Sequence, residues 1–273
     1  MENARKVTVL GRDHEAKGKI HLQTLDHVNI SMGTSVGVNS KPNEDAIGAA
    51  VLEMEFVLAI ADGHWGYYAS EIAVARAVDL LRSGARASRD SETRARLFAL
   101  YEQVNSALFD MAMSAPGAPS SETTLVVCHT KETIQGKYLY WGSFGDSFLY
   151  ILRGRQLKQL NTLQPYWLGF LSKLSESARS KDISIRFLRE EARYLGVATG
   201  LESGIEKLES GDMLFLCTDG LTGSDRKPEA SVVEGVTVIL NSALPLESKV
   251  EKVIHSALVR GEEDNISCVM AQI

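Results

Sequence analysis

The sequence predicts an α+β fold built on antiparallel β-sheet. Strand-like and helix-like segments arrive in blocks along the chain, and short hairpins, which only antiparallel strands allow, join neighbouring strands. A doubly wound parallel sheet would instead require a helix between successive strands. Because no Pro-rich or Gly-rich linker divides the chain, we expect a single domain that spans residues 1–273.

The predicted strands are apolar or alternating runs bounded by turn residues. Residues 46–63 contain two strands around a turn near Glu53 to Glu55, and residues 147–160 contain two around Arg153 and Gly154. Further strands are expected at 19–33, 123–130, 137–145, 212–220 and 265–273.

The predicted helices carry apolar side chains at helical spacing. Residues 67–84 have such a face, with Gly84 placed to end the helix, and residues 91–115 carry a longer apolar stripe. Two more helices are expected at 228–244 and 246–261. The stretch 161–196 has a mixed pattern and is expected to be partly helical.

Composition argues against several classes of protein. The balance of 29 Lys and Arg against 35 Asp and Glu gives a net charge of -6, unlike the basic surface of a general nucleic-acid-binding protein. No apolar stretch approaches the roughly 18 to 20 residues that span a bilayer, and the N-terminus is polar where a secretory signal is apolar. The three cysteines lie far apart in strand-like runs, as reduced core thiols do. We expect a cytoplasmic protein that binds neither nucleic acid nor membrane.

Five aspartates stand at the ends or starts of predicted strands. They are Asp45, Asp62, Asp146, Asp219 and Asp264. Any one of them could be a cap or a turn residue, since Asp-Gly pairs are common in turns. Clustered carboxylates repel one another, however, and are retained together when a cation compensates them. Oxygen ligands of this kind suit Mg²⁺ or Mn²⁺, and a bridging carboxylate can hold two ions.

The order and flanks of these motifs resemble the metal-dependent Ser/Thr protein phosphatases of the type 2C (PPM) family, from about "SVGVNSKPNEDA" to the C-terminus. The matching segments are "NEDA" (43–46), "ADGHWG" (61–66), "SETTLVV" (121–127), "GSFGDSFLYILRGRQLKQL" (142–160), "GVATGLE" (196–202), "LCTDGLTG" (216–223) and "EDNISCVMAQI" (263–273). Each motif is weak alone, but their order and separations together are specific. The resemblance implies two packed antiparallel β-sheets flanked by helices, an αββα sandwich.

The resemblance also implies a site for two Mn²⁺ or Mg²⁺ ions. By this comparison Asp62 would bridge the two ions, and Gly63 would offer its backbone carbonyl to one of them. Asp219 and Asp264 match the remaining carboxylate ligands of the first ion.

Further matches complete the implied site. Asp45 and Glu44 match groups that hold the second ion, partly through water, and Asp146 matches a residue that, with Asp264, holds a third, weaker ion in many relatives. His64 matches the general acid that protonates the leaving serine or threonine oxygen, a task that suits histidine because its ordinary pKa of about 6.5 lies near working pH. The implied reaction is direct hydrolysis of phosphoserine or phosphothreonine in a protein substrate by a metal-bridging hydroxide, with no phosphoenzyme.

The sequence departs from the family pattern where relatives grip the substrate phosphate. Relatives usually carry an arginine three residues before the Asn of "NED", and this chain has Ser40 there. Lys41 is one place along, and in a strand a one-residue offset turns the side chain to the opposite face. Lys41 is either an ordinary exposed lysine or a point charge that binds phosphate less well than an arginine fork. We expect weaker phosphate binding, chiefly as a raised KM.

Two other departures lie near the implied site. Trp65 occupies a position where the family commonly has glycine, so it either shapes the peptide-binding surface or partly blocks it. Residues 161–196 match the family's variable flap, and their aromatic "QPYWLGFL" is either a partner surface or a buried strut.

Three functions are compatible with these residues. Retention of every carboxylate match and of His64 favours an active phosphoprotein phosphatase, because uncompensated carboxylates are costly to keep. Loss of the arginine favours a pseudophosphatase that acts as a binding or scaffolding module. The third function is a two-metal hydrolase of small phosphate esters or nucleic acid, and the acidic balance counts against nucleic acid.

Overall fold

Two six-stranded antiparallel β-sheets form the centre of the molecule, and helices cover both outer faces. The computed structural model describes residues 5–25, 28–39, 42–52, 55–80, 90–114, 121–163, 201–223 and 229–273. The arrangement confirms the predicted α+β class and the αββα sandwich that the family resemblance implies.

Each sheet combines strands from distant parts of the sequence. Sheet A contains, in spatial order, β1 (Arg5–Leu10), β4 (Ala46–Leu52), β5 (Glu55–Ala61), β8 (Leu125–Thr133), β9 (Gly136–Phe144) and β12 (Glu202–Lys207). Sheet B contains β11 (Gln156–Gln159), β10 (Phe148–Arg153), β13 (Met213–Cys217), β14 (Ile266–Gln272), β3 (Ile30–Ser35) and β2 (His21–Leu25). A short ribbon of β6 (Gly63–His64) and β7 (Glu122–Thr123) completes the strands.

Four helices cover the sheets in the described part of the chain. The helices α1 (Tyr68–Val78) and α2 (Asp90–Met113) pack on sheet A, while α3 (Ala230–Leu240) and α4 (Leu246–Val259) pack on sheet B. Three apolar layers result, and the middle one lies between the two sheets. Within the described ranges, every helix falls short of the length and apolar character that a membrane crossing requires.

Side-chain size along β4 and β5 explains why α1 packs closely on sheet A. The face toward the helix carries small residues: Ala46, Gly48, Ala50, Ala59 and Ala61. The face toward sheet B carries larger residues: Ile47, Val51, Phe56, Leu58 and Ile60. A Cβ atom at Gly48 would press on Val74 and Val78 of α1. The small face therefore lets α1 lie close to sheet A, and Ser70 in its first turn hydrogen-bonds the Glu44 carbonyl beside the predicted site.

Most predicted elements are confirmed, and the differences lie at ends and edges. Residues 46–63 contain β4 and β5, with Leu52 opposite Glu55, and residues 147–160 contain β10 and β11 around Gly154. Helix α1 ends at Val78, before Gly84, which lies outside the described residues. The residue pattern does not predict β1 or β12, the two edge strands of sheet A, because their polar and partly exposed residues form no long apolar run. Residues 164–196 of the expected flap also lie outside the described residues.

Candidate metal centre

The open end of the β4–β5 hairpin holds two of the predicted carboxylates. Ala46 lies opposite Ala61 in the antiparallel register, so Asp45 and Asp62 extend from the same end of sheet A. Both carboxylates are buried. This placement follows from the local sequence. In each of the two strands an aspartate adjoins the apolar residues at the point where the strand pairing stops.

Sheet B brings its carboxylates to one end in the same way. Cys217 of β13 lies opposite both Phe148 of β10 and Cys268 of β14. The residues that follow or precede these three positions therefore lie together, and they include the other predicted aspartates, Asp146, Asp219 and Asp264. Asp146 is buried, Asp219 is half-buried and Asp264 is exposed, so this side of the cluster opens to solvent.

Hydrogen bonds join the two groups of carboxylates across the sandwich. The hydroxyl of Thr218, which precedes Asp219, donates to Oδ2 of Asp45 at 3.1 Å. The backbone N–H of Glu44 donates to Oδ1 of Asn265, which follows Asp264, at 2.8 Å. The ends of sheets A and B thus form one site.

The carboxylates lie close enough to raise one another's pKa. Burial raises the pKa of Asp62 well above its usual range, and the charges of Asp45, Asp219, Asp264 and Asp146 raise it further. Burial raises the pKa of Asp45 to about 8 and that of Asp219 to about 7, and other carboxylates of the cluster add to both shifts. Without a cation, the cluster therefore keeps protons at neutral pH that isolated aspartates would have lost.

The donor atoms of this cluster fit a hard divalent cation. Oδ1 of Asp45 and Oδ1 of Asp219 are buried with no hydrogen-bond partner, so both oxygens remain available to a cation. Among the described residues, no group of three His, Cys, Asp or Glu side chains is arranged as a complete set of ligands for one ion. Mg²⁺ is often held by one or two carboxylates, with water as its remaining ligands, so such a partial cage is compatible with binding.

Both Asp-Gly pairs have a packing reason as well as a turn preference. A Cβ atom at Gly63 would overlap the carbonyl oxygen of Glu44, and one at Gly220 would overlap the carbonyl oxygen of Asn265. The hydroxyl of Ser70 in α1 donates to the same Glu44 carbonyl at 2.5 Å. Glycine therefore allows the loops that carry the carboxylates to approach each other.

His64 lies in the β6–β7 ribbon, opposite Glu122, and is half-buried. Burial raises the pKa of the neighbouring Glu44 carboxyl, while hydrogen bonds from the backbone N–H groups of Gly66 and Trp65 and the charge of His64 act in the opposite direction. The structure thus places His64 and Glu44 beside the cluster. Ser40 and Lys41, the predicted phosphate-binding positions, lie outside the described residues.

Sequence reasoning misses the hydroxyl and amide groups that hold the carboxylates in place. Besides Thr218 and Asn265, the hydroxyl of Thr124 accepts the backbone N–H of Asp62 at 2.9 Å, and the hydroxyl of Thr123 donates to the Asp62 carbonyl at 2.7 Å. Thr218 and Asn265 each adjoin a predicted aspartate, which is a usable signal. Thr123 in β7 and Thr124 directly after it have no neighbouring aspartate, so the sequence does not indicate their role.

Comparison with known proteins gives the same family as the motifs. The family model for protein phosphatase 2C matches residues 32–258. A relative from Streptococcus pyogenes serotype M6 is 26% identical over 249 residues, which are 89% of this chain and 96% of that protein, and its name assigns it to the 2C type.

Solved structures share the fold. The Mycobacterium tuberculosis serine/threonine phosphatase PstP/Ppp is 23% identical with a TM-score of 0.63, covering 92% of this chain and 98% of that one. The phosphatase Stp1 from Staphylococcus aureus is 20% identical with a TM-score of 0.65, covering 90% and 95%. A structure of the PstP catalytic domain, 23% identical with a TM-score of 0.62 over 93% of this chain and 99% of that one, is described as a complex with two manganese ions.

Fold and site together define a metal-dependent hydrolase of phosphate esters. Strand ends from the two stacked antiparallel sheets come together, and the carboxylates there fit divalent cations. The chain belongs to the protein phosphatase 2C family. Its enzyme class is accordingly that of the phosphoprotein phosphatases, which depend on Mn²⁺ or Mg²⁺.

Proposed function

We propose that this protein hydrolyses phosphoserine or phosphothreonine in protein substrates at the carboxylate cluster. One observation carries the proposal: Asp45, Asp62 and Asp219 come from both sheets to one place, and burial and mutual repulsion raise the pKa of each carboxyl. Such a cluster is unfavourable unless a cation or protons neutralise it. A scaffold without metal would have no use for this arrangement.

The roles that we assign follow the position of each group. Asp62, whose pKa the other four aspartates raise, would be a ligand common to both ions, and Gly63 would offer its carbonyl. Asp219 and Asp264 would hold the first ion from the sheet B side. When bound, the two ions supply an acidified water as nucleophile and stabilise the charge that develops on the phosphate.

The remaining acidic groups lie around these ligands. Asp45 and Glu44 hold the second ion from sheet A, and the Thr218 hydroxyl fixes the orientation of the Asp45 carboxylate. Asp146, next to Asp219, serves a third and weaker ion.

His64 is the proton donor in this proposal. It follows Asp62 and Gly63 directly and is half-buried, so its imidazole can reach both the reacting phosphate and solvent. Protonation of the leaving serine or threonine oxygen then avoids release of an alkoxide. With serine at position 40 in place of the arginine fork, phosphate binding depends chiefly on the ions, with Lys41 at most a point charge beside them, and we expect a raised KM.

The test is phosphate release from a phosphothreonine peptide with Mn²⁺ or Mg²⁺, and with EDTA. We expect metal-dependent turnover that falls by more than about 100-fold in Asp62→Asn and Asp219→Asn, since loss of outer-sphere groups alone already costs about 10- to 100-fold. The control Glu251→Gln removes an exposed carboxylate of α4 and should keep wild-type turnover. Calorimetric titration with Mn²⁺ measures ion binding independently.

The result distinguishes this function from its alternatives. Bound Mn²⁺ without turnover at high peptide concentration would contradict the enzyme and support the scaffold. Turnover of small phosphate esters but not of the peptide would indicate a different substrate class.

The cytoplasmic location belongs to the same proposal. Cys128, Cys217 and Cys268 are buried free thiols, which fits a reducing compartment. The expected independence from membranes and nucleic acid rests on composition and is part of the proposal.

A further inference from the structure

Trp65 directly follows His64 and adopts a backbone conformation that a bulky residue rarely takes. Its φ is 65°, and Asn29 is the other non-glycine residue with positive φ in the described part of the chain. Glycine would remove this strain. The Trp65 side chain is also 72% exposed. A strained and exposed tryptophan beside the proposed acid is not explained by core packing.

The indole is held in one orientation despite its exposure. Its Nε1–H donates to Oε1 of Glu122 at 3.2 Å, and Glu122 is a buried residue of β7. On the backbone side, the N–H groups of Trp65 and Gly66 hydrogen-bond the Glu44 carboxylate. The indole nitrogen is therefore tied to β7, while most of the ring remains exposed to solvent.

Two carboxylates lie beside the Trp65 segment, and His64, the proposed proton donor, precedes it. The carboxylates of Glu122 and Glu44 both bind the Trp65 segment, and Oε2 of Glu122 has no hydrogen-bond partner. The neighbouring cation, Arg12, lies over the ring of Tyr67 at 4.8 Å and pairs with Glu71 at 2.8 Å. The face of a tryptophan attracts cations more strongly than any other side-chain ring, and nearby carboxylates add to that attraction.

We propose that Trp65, anchored by Glu122, binds a basic side chain that flanks the phosphorylated residue of the substrate. The inference rests on the proposed function, because the place of the phosphorylated residue follows from the role of His64. Two further aromatic rings follow along the chain, those of Tyr67 and the exposed Tyr68, whose centres lie 4.6 Å apart. Trp65 is then a specificity residue that acts on peptide binding.

The experiment compares phosphothreonine peptides that carry either arginine or norleucine at one flanking position, tested on each side in turn. For each peptide, kcat and KM are measured with Mn²⁺, and Kd is measured by fluorescence anisotropy of the labelled peptide. Three variants are compared with the wild type. Trp65→Gly removes the indole and tolerates the positive φ, Trp65→Phe keeps an aromatic ring, and Glu122→Gln removes the charge beside the indole. Ile134→Ala is the matched control, since Ile134 is fully exposed in the β8–β9 turn, at the opposite end of β8 from the site.

We expect the wild type to favour the arginine peptide on one side by about 3- to 30-fold in kcat/KM, mainly through KM, as a cation–aromatic contact predicts. Trp65→Gly should lower this ratio to about one, Trp65→Phe and Glu122→Gln should lower it partly, and Ile134→Ala should preserve it. A ratio near one in the wild type would overturn the proposal. So would a Trp65→Gly variant with higher kcat/KM on every peptide, because the indole would then obstruct the site.

The Kd measurements distinguish this proposal from the proposed function. If no peptide is hydrolysed but the arginine peptide still binds more tightly in a Trp65-dependent way, the docking role stands and the hydrolysis fails. If the wild type hydrolyses both peptides equally, the hydrolysis stands and the docking role fails. Equal binding without hydrolysis would contradict both.

Discussion

Without divalent metal, the folded protein should lose stability as the pH rises from about 6.5 to about 8. In the fold the pKa of Asp45 is about 8 and that of Asp219 about 7, against about 3.9 for aspartate in an unfolded chain. A carboxyl group whose pKa is raised on folding favours the folded state at low pH. That contribution is lost as the pH rises through the folded pKa.

The magnitude follows from the protons held at pH 7. With these pKa values Asp45 holds about 0.9 proton and Asp219 about 0.5, whereas the unfolded chain holds almost none at either position. These two groups alone, with about 1.4 protons, contribute about −2 kcal/mol per pH unit to the slope of the free energy of unfolding. Asp62, whose pKa is also raised by burial, adds a contribution of the same sign. His14, whose pKa is lowered chiefly by burial, acts with the opposite sign but only below its ordinary value of about 6.5.

The assay is urea unfolding at several pH values in this window, with EDTA and with Mn²⁺. In EDTA the wild type should show the negative slope, and Asp45→Asn should make it shallower by about 1.2 kcal/mol per pH unit, because the roughly 0.9 proton that Asp45 holds at pH 7 is lost. With Mn²⁺ the stabilisation should increase with pH, because the ion replaces the protons. A flat or positive slope for the metal-free wild type, or an unchanged slope in Asp45→Asn, would refute the reasoning.

Three further substitutions test how the site and its support are built. Thr218→Val removes the hydroxyl that orients Asp45 and should weaken Mn²⁺ binding by about 10- to 100-fold in calorimetry; equal affinity would contradict that role. Gly220→Ala places a Cβ against the Asn265 carbonyl and should lower the free energy of unfolding by about 1 to 3 kcal/mol in urea. Tyr101→Phe removes the 3.1 Å hydrogen bond to the Leu125 carbonyl; scanning calorimetry should find a Tm about 2 °C lower, with turnover per folded molecule retained.

The carboxylates of the site could be predicted because each one has a local signal. Asp62 and Asp219 each end an apolar run and precede a glycine, a pattern that places them where a buried strand ends in a turn. The same local reasoning fails for β12, whose edge position leaves its residues partly exposed and therefore without a clear pattern. Local signals thus predict central strands and their ends better than the edges.

The contacts between the sheets could not be predicted, because no local pattern encodes them. Thr218 binds Asp45 across 173 residues of sequence, and that pairing depends on how the two sheets stack. The anchoring of Trp65 by Glu122, 57 residues away, also depends on the β6–β7 pairing, and nothing in "SETT" indicates it. Such contacts are set by tertiary structure and become evident only when the strands are assembled.

The place of β14 in sheet B has a consequence for protein synthesis. This strand follows the other described strands along the chain, yet it lies in the middle of the sheet, between β13 and β3, and Asp264 lies two residues before it. A growing chain therefore cannot join those two strands, or assemble the carboxylate cluster, until residues 264–272 have left the ribosome. Chains that stop before residue 264 lack both Asp264 and the strand that joins β13 to β3, so we expect them to cleave no phosphate ester.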